Sequence, residues 1–281
     1  MRHRLTHNIC PQYRAVLEYA VAQGYTLPSL PQQKIANSII DYLVQRGQWD
    51  TVFECFWLEA NDGSRQMGRI NYINPGTYNI TEAGSPTWTS NIGFINTSTA
   101  DRISLTFNPF VDASAKFTRR DHSLIAWRYN NISDNQAGII CSRSSATDVS
   151  LFGNTNPSNG LASMRVFDVS GDDTGVGTNP PNYDGLFHYK RIDSGLAESA
   201  GQDSKEVYQQ GVFTGSTIIP FANSSGRSLP NMPYLQGARY TSGAIVDRHD
   251  TTPFSFAALG HGTNSNAPEI YKAISYYMTN L

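Results

Sequence analysis

The side chains able to do chemistry are few in this 281-residue chain, and they are scattered. Glycosidic hydrolysis takes two carboxyl groups converging across a sugar, roughly 5–10 Å apart. On one strand such a pair would appear as acidic residues at alternate positions, because alternate side chains share a face. The glutamates stand at 18, 54, 59, 82, 198, 206 and 269, and none has an aspartate two positions away within an apparent strand. No G-x-S-x-G supplies a nucleophile elbow, and no H-E-x-x-H supplies a zinc-binding helix. The histidines, at 3, 7, 122, 188, 249 and 261, are dispersed. His249 and Asp250 are adjacent, but neighbours on a strand point to opposite faces and make a poor dyad. Gly175-Val176-Gly177 lacks the third glycine and the following helix of a phosphate loop. No catalytic residue is expected.

Two groupings are suited to binding instead. Asp168, Asp172, Asp173 and Asp184 surround a polar loop, 170–184. Calcium takes six to eight oxygens, often from such aspartates and loop carbonyls. A solvated turn is the plainer reading, so neither a metal nor a cofactor is expected. Sugar binding uses an exposed aromatic face with planar hydrogen-bonding groups beside it. Trp88, Trp127, Tyr183 and Tyr234 are the candidate platforms, with Trp127 expected in the core and Tyr183 the better placed, in its Pro/Asn-rich loop. Sequence alone does not separate a binding aromatic from a packing one, so the ligand-binding residues stay open at this point.

Composition narrows the classes further. Charged residues are 16% of the chain, against roughly 25% in ordinary soluble domains. Ser, Thr, Asn and Gly fill the deficit, which suits short strands joined by polar turns. Aromatics at 11%, with 15 Tyr, are enough to fill a sandwich core. Net charge is −2, and the only basic clusters are Arg2/Arg4 and Arg119-Arg120, so no nucleic-acid partner is expected. Three widely spaced cysteines, Cys10, Cys55 and Cys141, do not form a disulfide framework or a zinc site. They read as small buried residues or free thiols. The start, MRHRLTHNIC, has no apolar h-region, so no signal peptide is expected, and no run approaches the ~20 apolar residues of a membrane span. The N-x-S/T triplets at Asn79, Asn96, Asn131 and Asn223 are about what this composition gives by chance.

The elements that must position these residues follow from periodicity. Tyr13, Val16, Leu17, Ala20 and Val21 fall on one helical face, stopped at Gly24. Ser29 and Gln32 suggest a capping box opening a second helix, with Ile35, Ile39, Ile40, Leu43 and Val44 as its apolar side and Gly47 as its end. From Trp49 the period changes. Residues 49–60 read as a buried strand closed by the Asn61-Asp62-Gly63 turn. Residues 102–107 alternate, with Ile103, Leu105 and Phe107 inward. Further strand candidates are 122–129, 137–142, 148–153, 163–169, 186–192, 205–214, 233–240 and 254–260. Gln209-Gln210-Gly211 reads as a hairpin turn. Asn266, Glu269 and Pro268 open a C-terminal helix with the stripe Ile270, Ala273, Ile274, Tyr277, Met278 and Leu281, which must dock on a sheet face or on the N-terminal helices. So many strands without intervening helices predict an all-β, antiparallel sandwich of the concanavalin A-like jelly-roll type, with short N-terminal helices and a C-terminal helix. A helical anchoring or assembly segment is expected at 1–48 and the sandwich with its terminal helix at 49–281.

Several stretches together resemble a virion protein of phages and prophages infecting Bacteroidetes-type bacteria. They are YRAVLEYAVAQGYTLPS (13–29), GQWD (47–50), VFECFWLEANDGS (52–64), INPGTYNITEAGSPTWTSNIGF (73–94), LTFNPFVDA (105–113), and the closing FSFAALGHG and EIYKAISYYMTNL between 254 and 281. VYQQGVF matches a hairpin that often carries Asn-Gly in laminin G-like sandwiches. The likeness is firmer at both ends than over 140–250, and the Gln-Gln-Gly turn and the 170–184 loop depart from it. It implies a concanavalin A-like or laminin G-like domain in a tail fibre, a baseplate or a head decoration. The implied product is made in the host cytoplasm, resides in the virion, associates with other virion proteins and with its own copies, and contacts host surface glycans without inserting in a membrane. A glycoside hydrolase degrading surface polysaccharide, and a stand-alone lectin, are the competing expectations.

Overall fold

The structure is a computed structural model, and it describes residues 9–98, 100–129, 138–144, 149–154, 162–166, 185–196, 202–220, 229–241, 244–247 and 252–281. Two helices lead. α1 (Pro11–Ala22) buries Tyr13, Val16, Leu17 and Ala20, as its periodicity requires, but leaves Val21 61% exposed. α2 (Leu30–Gln45) buries Ala36, Ile39, Ile40 and Leu43. Its capping box is only half formed. Ser29 Oγ accepts from the Gln32 amide at 3.5 Å, while the Gln32 side chain leaves the helix to meet the Asp62 amide and Asn91. A single turn, α3 (Gln48–Thr51), holds the first residues of the strand expected from 49. The strand itself, β1, is Phe53–Leu58. Asn61 Oδ1 then accepts from the amides of Gly63 and Ser64 and fixes the turn into α4 (Arg65–Gly68).

Short strands follow: β2 (Thr81–Ala83), β3 (Thr87–Thr89), β4 (Gly93–Ile95) and β5 (Arg102–Ser104). The alternating run 102–107 is a strand only in its first half. Thr106 turns to φ 56°, yet Ile103, Leu105 and Phe107 all remain fully buried. Longer strands come next: β6 (His122–Arg128), β7 (Gly138–Arg143), β8 (Val149–Asn154), β9 (Ala162–Val166), β10 (Gly185–Ile192), β11 (Gln202–Gln209) and β12 (Val212–Pro220). The stretch 233–240 divides at Gly237 (φ 64°) into β13 (Leu235–Gln236) and the start of β14 (Arg239–Thr241). β15 (Ala244–Asp247), β16 (Phe254–Gly260) and α5 (Ala267–Thr279) complete the chain. Asn266 caps α5 by accepting from the Glu269 amide.

One eight-stranded sheet runs β12-β11-β10-β6-β16-β4-β3, with β1 also pairing with β16. A six-stranded sheet runs β2-β5-β13-β7-β8-β9, and β14 pairs with β15. The pairings of all three sheets are antiparallel. The architecture is the expected antiparallel sandwich, with helices layered on it. Two hydrophobic cores flank the eight-stranded sheet. Trp57, Phe94, Leu124, Phe187, Tyr189 and Leu259 meet Ile103, Phe107, Ile140 and Tyr234 between the sheets. On the other side Phe56, Leu58, Ile125, Leu186 and Phe256 pack against Tyr13, Leu17, Ile40, Ile274 and Tyr277 of the helices. The terminal helix therefore docks on both surfaces open to it, the sheet and α2. No helix among the described residues is long and apolar enough to cross a membrane.

Phe56 sits at the middle of the helix-side core, with ring centroids 4.9 Å from Phe256, 5.0 Å from Trp49 and 5.1 Å from Phe53. Truncation there leaves a cavity among rings that cannot all shift inward. Phe56→Ala is expected to cost about 3–5 kcal/mol in denaturant-unfolding free energy. A loss below about 1 kcal/mol would mean that helices and sheet do not share this core.

Candidate functional site

The helices cover only part of the eight-stranded sheet. On β10, Leu186 joins the helix-side core, while Phe187 and Tyr189 join the core between the sheets. Alternation therefore places Leu186, His188 and Lys190 on the outer face. Antiparallel register sets Tyr208 opposite His188 and Glu206 opposite Lys190, and the hairpin sets Phe213 opposite Tyr208. Gln210 (φ 50°) and Gly211 (φ 74°) both lie in the left-handed region, as a two-residue turn with matching twist requires. A Cβ on Gly211 would lie 2.9 Å from the Tyr271 ring of α5, so the hairpin tip is seated against the helix layer.

These residues form a cluster with an aromatic surface and a polar flank. Tyr208 and Phe213 meet edge to face, 5.5 Å between centroids. Phe213 is 51% exposed and Val212 beside it 66%. The Tyr208 hydroxyl donates to Glu206 Oε2 at 2.9 Å, and the Lys190 ammonium lies 3.6 Å from the same carboxylate and 5.7 Å from the Tyr208 ring centre. Burial, with Glu206 beside it, pushes the Tyr208 hydroxyl up to about 12, so it stays protonated. Burial pulls the Lys190 ammonium down, and Glu206 opposes that. His188 lies beneath, 5.9 Å from the Tyr208 ring, fully buried and with neither ring nitrogen hydrogen-bonded. Burial, and then Lys190, lowers it to about 3, so it is a neutral ring supporting the tyrosine.

The aromatics singled out in the sequence are placed differently. Tyr234 is fully buried between the sheets. Trp127 is half-buried against the helix-side core. Trp88 is half-buried, and its indole N–H donates to the Glu59 carbonyl at 3.0 Å. Tyr183, the aspartates 168, 172, 173 and 184, the 175–177 glycines and the pair His249/Asp250 lie outside the described residues. Among the described residues no cluster of three or more His, Cys, Asp or Glu could hold a metal, and Cys10, Cys55 and Cys141 are unpaired by disulfides. The sequence reading missed Lys190, Glu206, Tyr208 and Phe213 as a group. Its signal was there in the two-residue turn Gln210-Gly211: numbering outward from it pairs 209 with 212 and 208 with 213, and alternation puts 206 on the face of 208.

No family model matches the chain, and no curated protein matches its sequence. Solved structures do match in shape. The binding domain of botulinum neurotoxin DC, solved with rat synaptotagmin II, gives a TM-score of 0.50 at 9% identity, over 81% of this chain and 52% of that one. A mutant Trypanosoma rangeli sialidase displaying trans-sialidase activity gives 0.48 at 8%, over 87% and 39%. Domain 4 of AbnA, a GH43 extracellular arabinanase from Geobacillus stearothermophilus, in complex with arabinotriose, gives 0.44 at 11%, over 79% and 98%. The chain thus spans about half of the neurotoxin chain. At such identities the likeness is one of fold, and the chain is an antiparallel β-sandwich.

The cluster's buried base has a consequence for pH. A histidine ordinarily titrating at 6.5 but held to about 3 when folded binds its proton more readily in the unfolded chain. The stability it supports is whole above 6.5 and is lost as pH falls from there toward 3, by about 1.4 kcal/mol per pH unit at most. His188→Leu is expected to flatten the acid limb of the unfolding-temperature profile. An unchanged acid limb would show that the imidazole is not buried as a neutral ring.

Proposed function

We propose that this protein is a non-catalytic adhesion component of a phage particle that holds neutral glycans on the outer face of β10–β12. The observation carrying the reading is the exposed Phe213 edge-on to Tyr208, flanked by Glu206 and Lys190. An apolar sugar face stacks on such rings while its hydroxyls reach the fixed carboxylate. Glu206 is more exposed than Lys190, with side chains 24% and 8% accessible. The surface offered to a ligand is therefore mainly an acceptor of hydroxyl hydrogens, and its one cation is too covered to favour acidic sugars. Binding rather than turnover is favoured because, among the described residues, Glu206 is the one carboxylate in contact with Tyr208 and Lys190, whereas most glycoside hydrolases set two carboxyl groups across the bond.

The particle assignment is supported by the sequence resemblance. Within it, residues 1–48 contribute to assembly on the particle and 49–281 to display, with other virion proteins and further copies of the chain as partners. The helix layer offers a surface for such contacts, a cavity of about 240 Å³ between α2 and α5 lined by Ser38, Ile39, Tyr42, Lys272, Ala273 and Tyr276.

Glycan-array binding is expected for neutral and not for sialylated sugars. Phe213→Ala and Tyr208→Ala are each expected to weaken it about tenfold, some 1.4 kcal/mol. Turnover of a polysaccharide, abolished by one Asp or Glu substitution, would replace this reading with a hydrolase. Absence of the chain from purified particles would remove the virion assignment while leaving the glycan site standing.

A further inference from the structure

Apart from the aromatic face, the core between the sheets encloses a carboxyl group with no counter-charge among the described residues. Glu59 follows β1 directly and is fully buried. Gln236 Nε2 on β13 donates to Glu59 Oε1 at 2.7 Å. The other oxygens of the same two planar groups, Glu59 Oε2 and Gln236 Oε1, are buried with no hydrogen-bond partner among the described residues. Just beyond, Asn96 donates its Nδ2 hydrogen to the Gln236 carbonyl at 3.0 Å, and its Oδ1 is likewise unpartnered. Among the described residues, three acceptor oxygens of this cluster have no donor.

We infer that Glu59 is a neutral carboxylic acid whose Oε2–H donates to Gln236 Oε1, closing a ring of two hydrogen bonds that joins β1 of one sheet to β13 of the other. A carboxylic acid and a primary amide each present one donor and one acceptor side by side, so a single proton pairs the two orphaned oxygens of those groups. The described surroundings provide no charged partner. β3, β4, β13 and β16 carry no titratable residue at all. The cations on neighbouring described elements are Arg65 of α4 and Arg69 after it, both paired with Glu82, Arg102 of β5, Arg128 of β6, whose Nη2 donates to Thr252, and Arg143 of β7. None of them is among the groups acting on Glu59, which are burial and then the Gln236 amide, and burial pushes the carboxyl well above its usual range. Calcium would need six or more oxygens, against the three orphaned ones here.

A carboxyl group raised in the folded state contributes stability that is complete below its unfolded value and is lost as pH rises through the folded value. The pair is therefore an acid-tightened lock between the two sheets. Infrared spectra of the full chain in neutral D2O are expected to show a protonated-carboxyl C=O band that is missing in Glu59→Gln. In thermal unfolding, Glu59→Gln should gain on the wild type progressively from acidic to alkaline buffer. Gln236→Leu keeps the acid, removes the amide, and should move the band to higher frequency, which tests the pairing even where Glu59→Gln does not fold. The inference is overturned by absence of the band at neutral pH, by its survival in Glu59→Gln, or by an unmoved band in Gln236→Leu. Its disappearance when calcium is added to chelator-treated protein would assign the cluster to a cation instead.

Discussion

Everything in this fold depends on a sheet whose central strands are buried on both faces. β16 is buried at all seven positions and β1 at five of six. Its neighbours in the sheet divide their side chains between two cores, as Cys55 and Trp57 do against Phe56 and Leu58. A strand in that position cannot tolerate a polar side chain on either face without a partner. The consequence is a near-continuous apolar run, FSFAALG, more typical of parallel sheets than of antiparallel ones. The helices are thus a third layer of the same folded unit.

Some of the polar groups that do enter are held by several partners. Asp203 and Arg191 are both fully buried, with Nη2 to Oδ2 at 2.7 Å, and Arg120 reaches the other oxygen at 2.9 Å. Burial alone would raise the Asp203 carboxyl, but these two guanidinium groups hold it below its usual value. Asp121 accepts from the backbone of Gly262 and Thr263 and so pins the turn between β16 and α5.

Much of this was legible from residue order. Helix periodicity located α1, α2 and α5, and the two-residue turn located the β11–β12 hairpin. Val21 was misassigned because it lies at the rim of an apolar stripe, where only the partner's extent decides burial. Thr106 and Gly237 break extended runs that hydrophobic alternation alone makes continuous, since Leu105 and Phe107 stay inward without strand geometry. The aromatic site was not legible for a different reason. Trp88 and Tyr234 are conspicuous in sequence but pack inward or bond to backbone, whereas Tyr208 and Phe213 become neighbours only through cross-strand register.

The seating of the hairpin tip on Tyr271 also matters for how the molecule bears load. A ligand pulling at Phe213 pulls on the outermost strand of the sheet, which unsupported would peel bond by bond. Because the turn at Gln210-Gly211 abuts α5, and α5 rests on α2, traction at that edge is passed into a helix pair behind it. The edge hairpin and the helices behind it are thus built from distant parts of one chain, so force at that edge meets a braced corner.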